Sequence, residues 1–178
     1  MKKIILGVTG SIAAYKAADL TNRLVEAGHE VNVVMTKAGA AFITPLTMQS
    51  LSKRPVYTEV LQEQDATQIV HINLTQSADC FLIAPATANI IGKLAHGIGD
   101  DMLSTMALAL RPDTPRLIAP AMNHIMYASA PVQENLRLLR ECGWVIVAPR
   151  ESRLACGDIG KGALATIDTL VAALELAL

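Results

Sequence analysis

The pattern across residues 3 to 35 narrows the possible folds more than any other feature of the chain. Lys3–Val8 (KIILGV) is a short, almost wholly apolar run, and Thr9-Gly10-Ser11 interrupts it. An Ala/Leu-periodic stretch then continues to Ala27, stops at Gly28, and gives way to a second apolar run, Glu30–Met35 (EVNVVM). Apolar run, turn, helical period and apolar run together predict strand, helix, strand. Such a unit pairs its strands in parallel through a right-handed crossover.

Three more apolar runs follow, at 80–84 (CFLIA), 116–119 (RLIA) and 144–148 (WVIVA). Helical stretches are expected near 87–96, 100–110 and 131–142, and 166–178 has the spacing of a closing amphipathic helix. Hydrophobic residues make up 52% of the chain but aromatics only 3%, so the apolar content is mostly Ala, Leu, Ile and Val, which suits parallel strands buried under Ala-rich helices. The expected fold is α/β, a three-layer αβα doubly wound parallel sheet of the Rossmann or flavodoxin-like kind, with residues 1–178 forming one domain. Segment 37–67 is less defined, with helix-like patterning from Phe42 to Leu46 and a minor strand near 56–60. Residues 149–165 (PRESRLACGDIGKGALA) are rich in Gly and charge and read as a long functional loop.

Lys and Arg total 15 against 16 Asp and Glu, so no long-range field favours nucleic acid or an anionic membrane. A small molecule or a protein is the expected partner. No run approaches the ~20 apolar residues that span a bilayer, and no signal peptide is apparent. Cys80, Cys142 and Cys156 are odd in number and lack a CxxC spacing, which points to a reducing cytoplasm and to neither disulfides nor a metal site.

In a doubly wound sheet ligands bind beyond the carboxyl ends of the strands, so segments 9–16, 36–37, 84–89 and 119–123 are expected to share one crevice. Gly10 would let backbone come close to a ligand, and Ser11 would either cap the helix or bond a phosphate. The turn is neither GxGxxG nor a P-loop. The second strand ends in Met35-Thr36-Lys37, without the acid that would hold an NAD ribose, so a mononucleotide phosphate suits Ser11 and Thr36 better. Ala84-Pro85-Ala86-Thr87-Ala88-Asn89 offers small residues for a planar ring, with Thr87 and Asn89 as anchors, although Thr87 would serve equally as a helix cap. Asn123 would offer amide donors or cap a helix. Among the histidines His71, set in Val70-His71-Ile72-Asn73-Leu74, is the candidate for chemistry. Cys156 on the long loop is the candidate reactive thiol, while Cys80 and Cys142 read as inert packing. Asp100-Asp101 opens a helix and reads as structural.

Taken in order, Gly7 to Lys16 (GVTGSIAAYK), His71-Ile72-Asn73-Leu74, residues 84–89 (APATAN), 120–127 (PAMNHIMY) and 155–160 (ACGDIG) resemble the homo-oligomeric flavin-containing cysteine decarboxylases along nearly the whole chain. The resemblance is strongest to the branch that decarboxylates 4'-phosphopantothenoylcysteine to 4'-phosphopantetheine in coenzyme A biosynthesis. It implies FMN as cofactor, contacted by Gly10, Ser11, Ile12, Thr36, Thr87, Ala88, Asn89, Ile90 and Ala121. It also implies His71 as base, Asn123 on the substrate carboxylate with Met122 and Met126 beside it, and Cys156 as proton donor. The implied reaction oxidises the thiol transiently, loses CO2 and reduces the product again. A homotrimer or homododecamer is implied, with FMN near a subunit interface and no nucleic acid or membrane partner. The chain is expected to end before the ligase domain that many bacterial relatives carry. Two positions depart from the family pattern: Tyr127 stands where Trp is common, and Gly162-Ala163-Leu164 where Gly-Arg-Met is common. Peptidyl-cysteine decarboxylases, flavin prenyltransferases and a non-catalytic FMN-binding regulatory subunit share parts of the resemblance. Cys156 and the Pro-x-Met-Asn segment separate this chain from the first two, and its compact length separates it from the third.

Overall fold

Six parallel strands form the central sheet of the computed structural model, in the order β3-β2-β1-β4-β5-β6. The structure describes residues 1–59, 70–153 and 157–178. The strands are β1 (Lys3–Val8), β2 (Glu30–Met35), β3 (Val56–Tyr57), β4 (Cys80–Ala86), β5 (Arg116–Pro120) and β6 (Trp144–Ile146). The expected minor strand near 56–60 is thus Val56–Tyr57, and Val60 lies outside the described residues.

Alternate side chains of the strands serve two separate cores, as the two-residue period of a strand requires. Ile4, Leu6, Val8, Val33 and Leu82 pack under α1 (Lys16–Glu26), α3 (Pro45–Ser52) and α9 (Ile167–Ala177). Ile5, Val34, Phe81, Ile83 and Ile118 pack under α5 (Ala88–Ala95), α6 (Met102–Leu108) and α8 (Ala130–Glu141). The helices turn matching stripes inward: α1 buries Ala17, Leu20, Thr21 and Leu24, and stops at Gly28 with φ +85°. Gly7 is a glycine for packing, since a Cβ there would lie 2.5 Å from a Leu103 methyl. At the far edge the Phe81 and Trp144 rings meet edge to face, with centroids 6.1 Å apart.

Several polar residues inside this frame are paired. Asn32 in β2 donates to Glu30 and accepts from Arg54, which also bridges to Glu30 at 2.8 Å. The Asp100–Asp101 pair is structural, as expected: Asp101 caps α6 through a capping box with Ser104, and Lys93 bridges both carboxylates at 2.6 and 2.7 Å. Burial opposes ionisation of Asp101, yet the hydrogen bonds from Lys93 and Ser104 hold its carboxyl below the usual range. Cys80 is buried in β4, and burial pushes its thiol up to about 12. Cys142 differs from expectation: it follows α8 as the C-cap and is exposed, so it is not a packing residue.

The strand order reverses between β1 and β4, whose following chains leave toward opposite sides of the sheet. Thr9 ties this junction. Its hydroxyl donates to Pro85 O (2.7 Å) and accepts the Thr87 N–H (3.1 Å), and the residue is 1% exposed. A Thr9→Val variant keeps the shape and strands both partners, so it is expected to lose about 1–3 kcal/mol. Its thermal melting point should fall by about 2–4 °C per kcal/mol; an unchanged melting curve would show that the junction does not depend on this hydroxyl.

Candidate active site

A cleft of about 550 Å³ opens at the carboxyl edge beside that junction. Three of the four expected segments line it: Gly10, Ser11 and Ile12 after β1, Thr87 and Ala88 after β4, and Ala121, Met122, Asn123 and Met126 after β5. The fourth, Thr36, stands at the same edge without lining the cleft; its hydroxyl accepts the Gly39 N–H (3.1 Å) and caps α2 (Lys37–Phe42). Asn89 and Ile90 also fall outside the lining. Ile90 is 1% exposed in the core, with its amide on the Thr87 hydroxyl.

Three uncharged polar residues of the cleft, Ser11, Thr87 and Asn123, are helix caps. Ser11 accepts from Ala13 N–H (3.3 Å) at a short 3-10 turn (Ile12–Tyr15), and Thr87 caps α5. Asn123 caps α7 (His124–Ala128) by accepting the Ile125 N–H at 2.8 Å. Its Oδ1 serves the cap, and its Nδ2 is the donor half of the amide. Gly10 lines the cleft and also answers to packing. The place of its Cβ is taken by Ala38, 2.4 Å away, and that of Gly39 by Val8 O, also at 2.4 Å, so both glycines let α2 close on the end of β1.

The long loop proves to be a hairpin. β7 (Arg150–Arg153) and β8 (Ile159–Ala163) pair antiparallel, with Arg150 opposite Ala163. Its charged and glycine-rich strands have no apolar alternation, which is why they read as a loop. Their stability comes from docking on the residues after β5. Gly162 O accepts the Met122 N–H (3.0 Å), a Cβ on Gly162 would lie 2.2 Å from Met122 O, and one on Gly160 would lie 2.7 Å from His124 Cβ. The docking lays Gly162, Ala163 and Leu164 along the cleft together with Arg150 and Arg153. Cys156 lies outside the described residues, in the connection between the two strands.

His71 is on α4 (Val70–Ser77), half-buried. That helix leads into the amino end of β4, so its first turn lies toward the carboxyl edge of the sheet, yet His71 does not line the cleft of its own chain. Two lining residues were given no role of their own by the sequence reading: Lys16, at the end of segment 9–16, and Arg150, in the charged connection; the fold brings both to one cleft. Burial first, and the Arg150 charge second, lower the Lys16 pKa from its ordinary value. Among the described residues no helix is long and apolar enough to cross a membrane, and no group of three His, Cys, Asp or Glu side chains could hold a metal ion.

Comparison with known proteins adds to this geometry. The family described as "Flavoprotein" matches residues 1–177. A probable phosphopantothenoylcysteine decarboxylase from Streptococcus mutans is 51% identical over 174 residues, which span 98% of this chain and 97% of that protein. The coenzyme A biosynthesis bifunctional protein CoaBC of Vibrio vulnificus is 49% identical over 98% of this chain, which corresponds to 43% of that longer protein. Among solved structures, a cysteine-to-serine variant of PPC decarboxylase complexed with pantothenoylaminoethenethiol matches with a TM-score of 0.88 and 31% identity, over 98% of this chain and 97% of that one. The FMN-dependent cysteine decarboxylase SpaF matches with a TM-score of 0.85 and 31% identity, over 99% and 97%.

Proposed function

The chain belongs to the flavoprotein family, and on that premise we propose that it uses FMN to decarboxylate 4'-phosphopantothenoylcysteine to 4'-phosphopantetheine, a step of coenzyme A biosynthesis. The observation that carries the reading is the docking of Gly162 on Met122. It holds the hairpin whose connection contains Cys156 against the residues that present Asn123, over a single cleft. The Streptococcus mutans relative, matched over 97% of its length, supports the substrate. The solved cysteine-to-serine variant complexed with pantothenoylaminoethenethiol supports a late role for a cysteine.

The residues present fit FMN. The cleft falls in the roughly 300–1,000 Å³ range of cofactor sites, and Ala88 and Ala121 leave room for a planar ring. Ser11 and Ile12 on the turn after β1 would take the phosphate, with Gly10 shaping that turn, and Thr87 would anchor the ring edge. When bound, FMN supplies a reversible two-electron sink that lets the substrate thiol be oxidised, which makes the carboxylate β to the new thiocarbonyl labile. The chain does the rest. Asn123 Nδ2 donates to the substrate carboxylate and holds it in place, with Met122 and Met126 flanking it. His71 accepts the thiol proton, and the Cys156 thiol delivers a proton to the product carbon as the saturated thiol is regenerated.

Since His71 stands at the carboxyl edge without lining its own cleft, we place it in the cleft of a neighbouring subunit of a cytoplasmic homo-oligomer, a homotrimer or a homododecamer. Exposed Ile12, Tyr15, Ile125 and Ile159, on elements around the cleft, support such a contact. Incubating the FMN-loaded protein with 4'-phosphopantothenoylcysteine should yield a product lighter by CO2 alone in mass spectrometry. Flavin-loaded protein that leaves this substrate intact but decarboxylates a peptide with a carboxy-terminal cysteine would replace the reading with a peptidyl substrate.

A further inference from the structure

We propose that Lys16 of α1 and Arg150 of β7 form a subsite for a phosphomonoester dianion, and that it holds the phosphate end of the substrate; the second half rests on the function proposed above. Three cations, Lys16, Arg150 and Arg153, line the cleft, with no carboxylate among its described lining residues. None of the three has an ion-pair partner among the described residues, whereas Lys93, Arg54 and Arg137 each have one. Two like charges brought together without a counter-ion raise the energy of the free protein, and an anion bound between them removes that cost. Burial and the Arg150 charge both lower the Lys16 pKa, which agrees with this placement.

The geometry also suits a phosphate. Arg150 Nε donates to Leu164 O (3.2 Å), which orients the guanidinium while its other N–H groups remain for a ligand. The residue across the ladder, Ala163, is a single methyl that also lines the cleft, so it takes up little of the space beside Arg150. A planar fork and a point charge contributed by two different elements are a pairing well matched to a dianionic phosphate. The flavin phosphate has its own place at the Ser11 turn, which leaves this pair for the second phosphate that the reaction brings into the cleft.

The test uses the FMN-loaded protein, Arg150→Gln, which keeps a hydrogen-bond donor but no charge, Lys16→Met, and the double variant. The ratio of kcat/KM for 4'-phosphopantothenoylcysteine to that for its unphosphorylated counterpart is expected to fall about 10- to 100-fold in each single variant. The fall should appear mainly in KM, and Arg150→Lys should recover part of it. Flavin absorbance per chain should be unchanged. A second readout needs no turnover: inorganic phosphate, titrated by calorimetry, should bind the wild type more tightly than the double variant. Equal phosphate binding by wild type and double variant would overturn the subsite. Loss of flavin from the variants would reassign the cations to the cofactor phosphate and overturn the substrate role. If the wild type turned over neither substrate while phosphate binding still depended on both residues, the subsite would stand and the functional reading would fall.

Discussion

A Cys156→Ser variant is expected to consume 4'-phosphopantothenoylcysteine and release CO2, yet to give a product two hydrogens short of 4'-phosphopantetheine. Formation of the saturated product should fall at least about 100-fold, the scale of a lost general acid. Cys156 is assigned to the return half of the cycle, after the carboxylate has gone, so its removal leaves the oxidation and decarboxylation untouched. Serine keeps the size and the hydrogen-bonding hydroxyl, but a thiol with an ordinary pKa of about 8.5 can give up a proton near neutral pH and an alcohol cannot. Arg153, three residues earlier in the chain, lines the cleft, and Gly162 is pinned to Met122 on the other side of the connection. The hairpin therefore holds both ends of the segment that carries the thiol. Mass spectrometry of wild-type and variant reactions separates the outcomes: a variant that makes saturated product at the wild-type rate would remove Cys156 from the mechanism.

The parts of this fold that could be read from sequence are those in which one residue type answers to one physical demand. Strands buried on both faces need near-continuous apolar runs, and β1, β2, β4 and β5 all show them. The order in which helices separate those runs then fixed the edge at which ligands would gather, and Ser11, Thr87, Ala121 and Asn123 do meet there. Their roles were harder to read, because a side chain that caps a helix at the carboxyl edge also faces the crevice. Ser11, Thr36, Thr87 and Asn123 are each caps; Ser11, Thr87 and Asn123 also line the cleft, whereas Thr36, read as a phosphate contact, caps α2 beside it.

Other features answer only to tertiary contacts and left no local trace. Gly10, read as a glycine for the close approach of a ligand, also makes room for Ala38. The glycines of β8 looked like loop residues, although Gly160 and Gly162 are needed where the hairpin presses on His124 and Met122. Lys16 and Arg150 lie 134 positions apart in the chain and each resembles a solvated charge in its own neighbourhood, so their meeting in one cleft belongs to the fold.

Asn123→Asp should separate the two duties of that side chain with the second large effect, a fall in kcat/KM of about 1,000-fold at unchanged flavin content. As an N-cap, aspartate is as good as asparagine, because the Ile125 N–H needs only an acceptor and a negative charge suits the start of α7. The thermal melting point should therefore hold or rise. Toward the substrate the exchange is severe: the amide donor becomes an acceptor, and a carboxylate now faces the carboxylate it was meant to hold, so an attractive charge-assisted hydrogen bond turns into repulsion. Asn123→Ala gives the contrast, since it removes the donor without adding charge but also removes the cap, at a cost of about 1 kcal/mol. Its activity should exceed that of the aspartate variant while its melting point falls below it. If Asn123→Asp instead kept wild-type kcat/KM, Asn123 would be a helix cap and nothing more, and the carboxylate would have to be held by another group in the cleft.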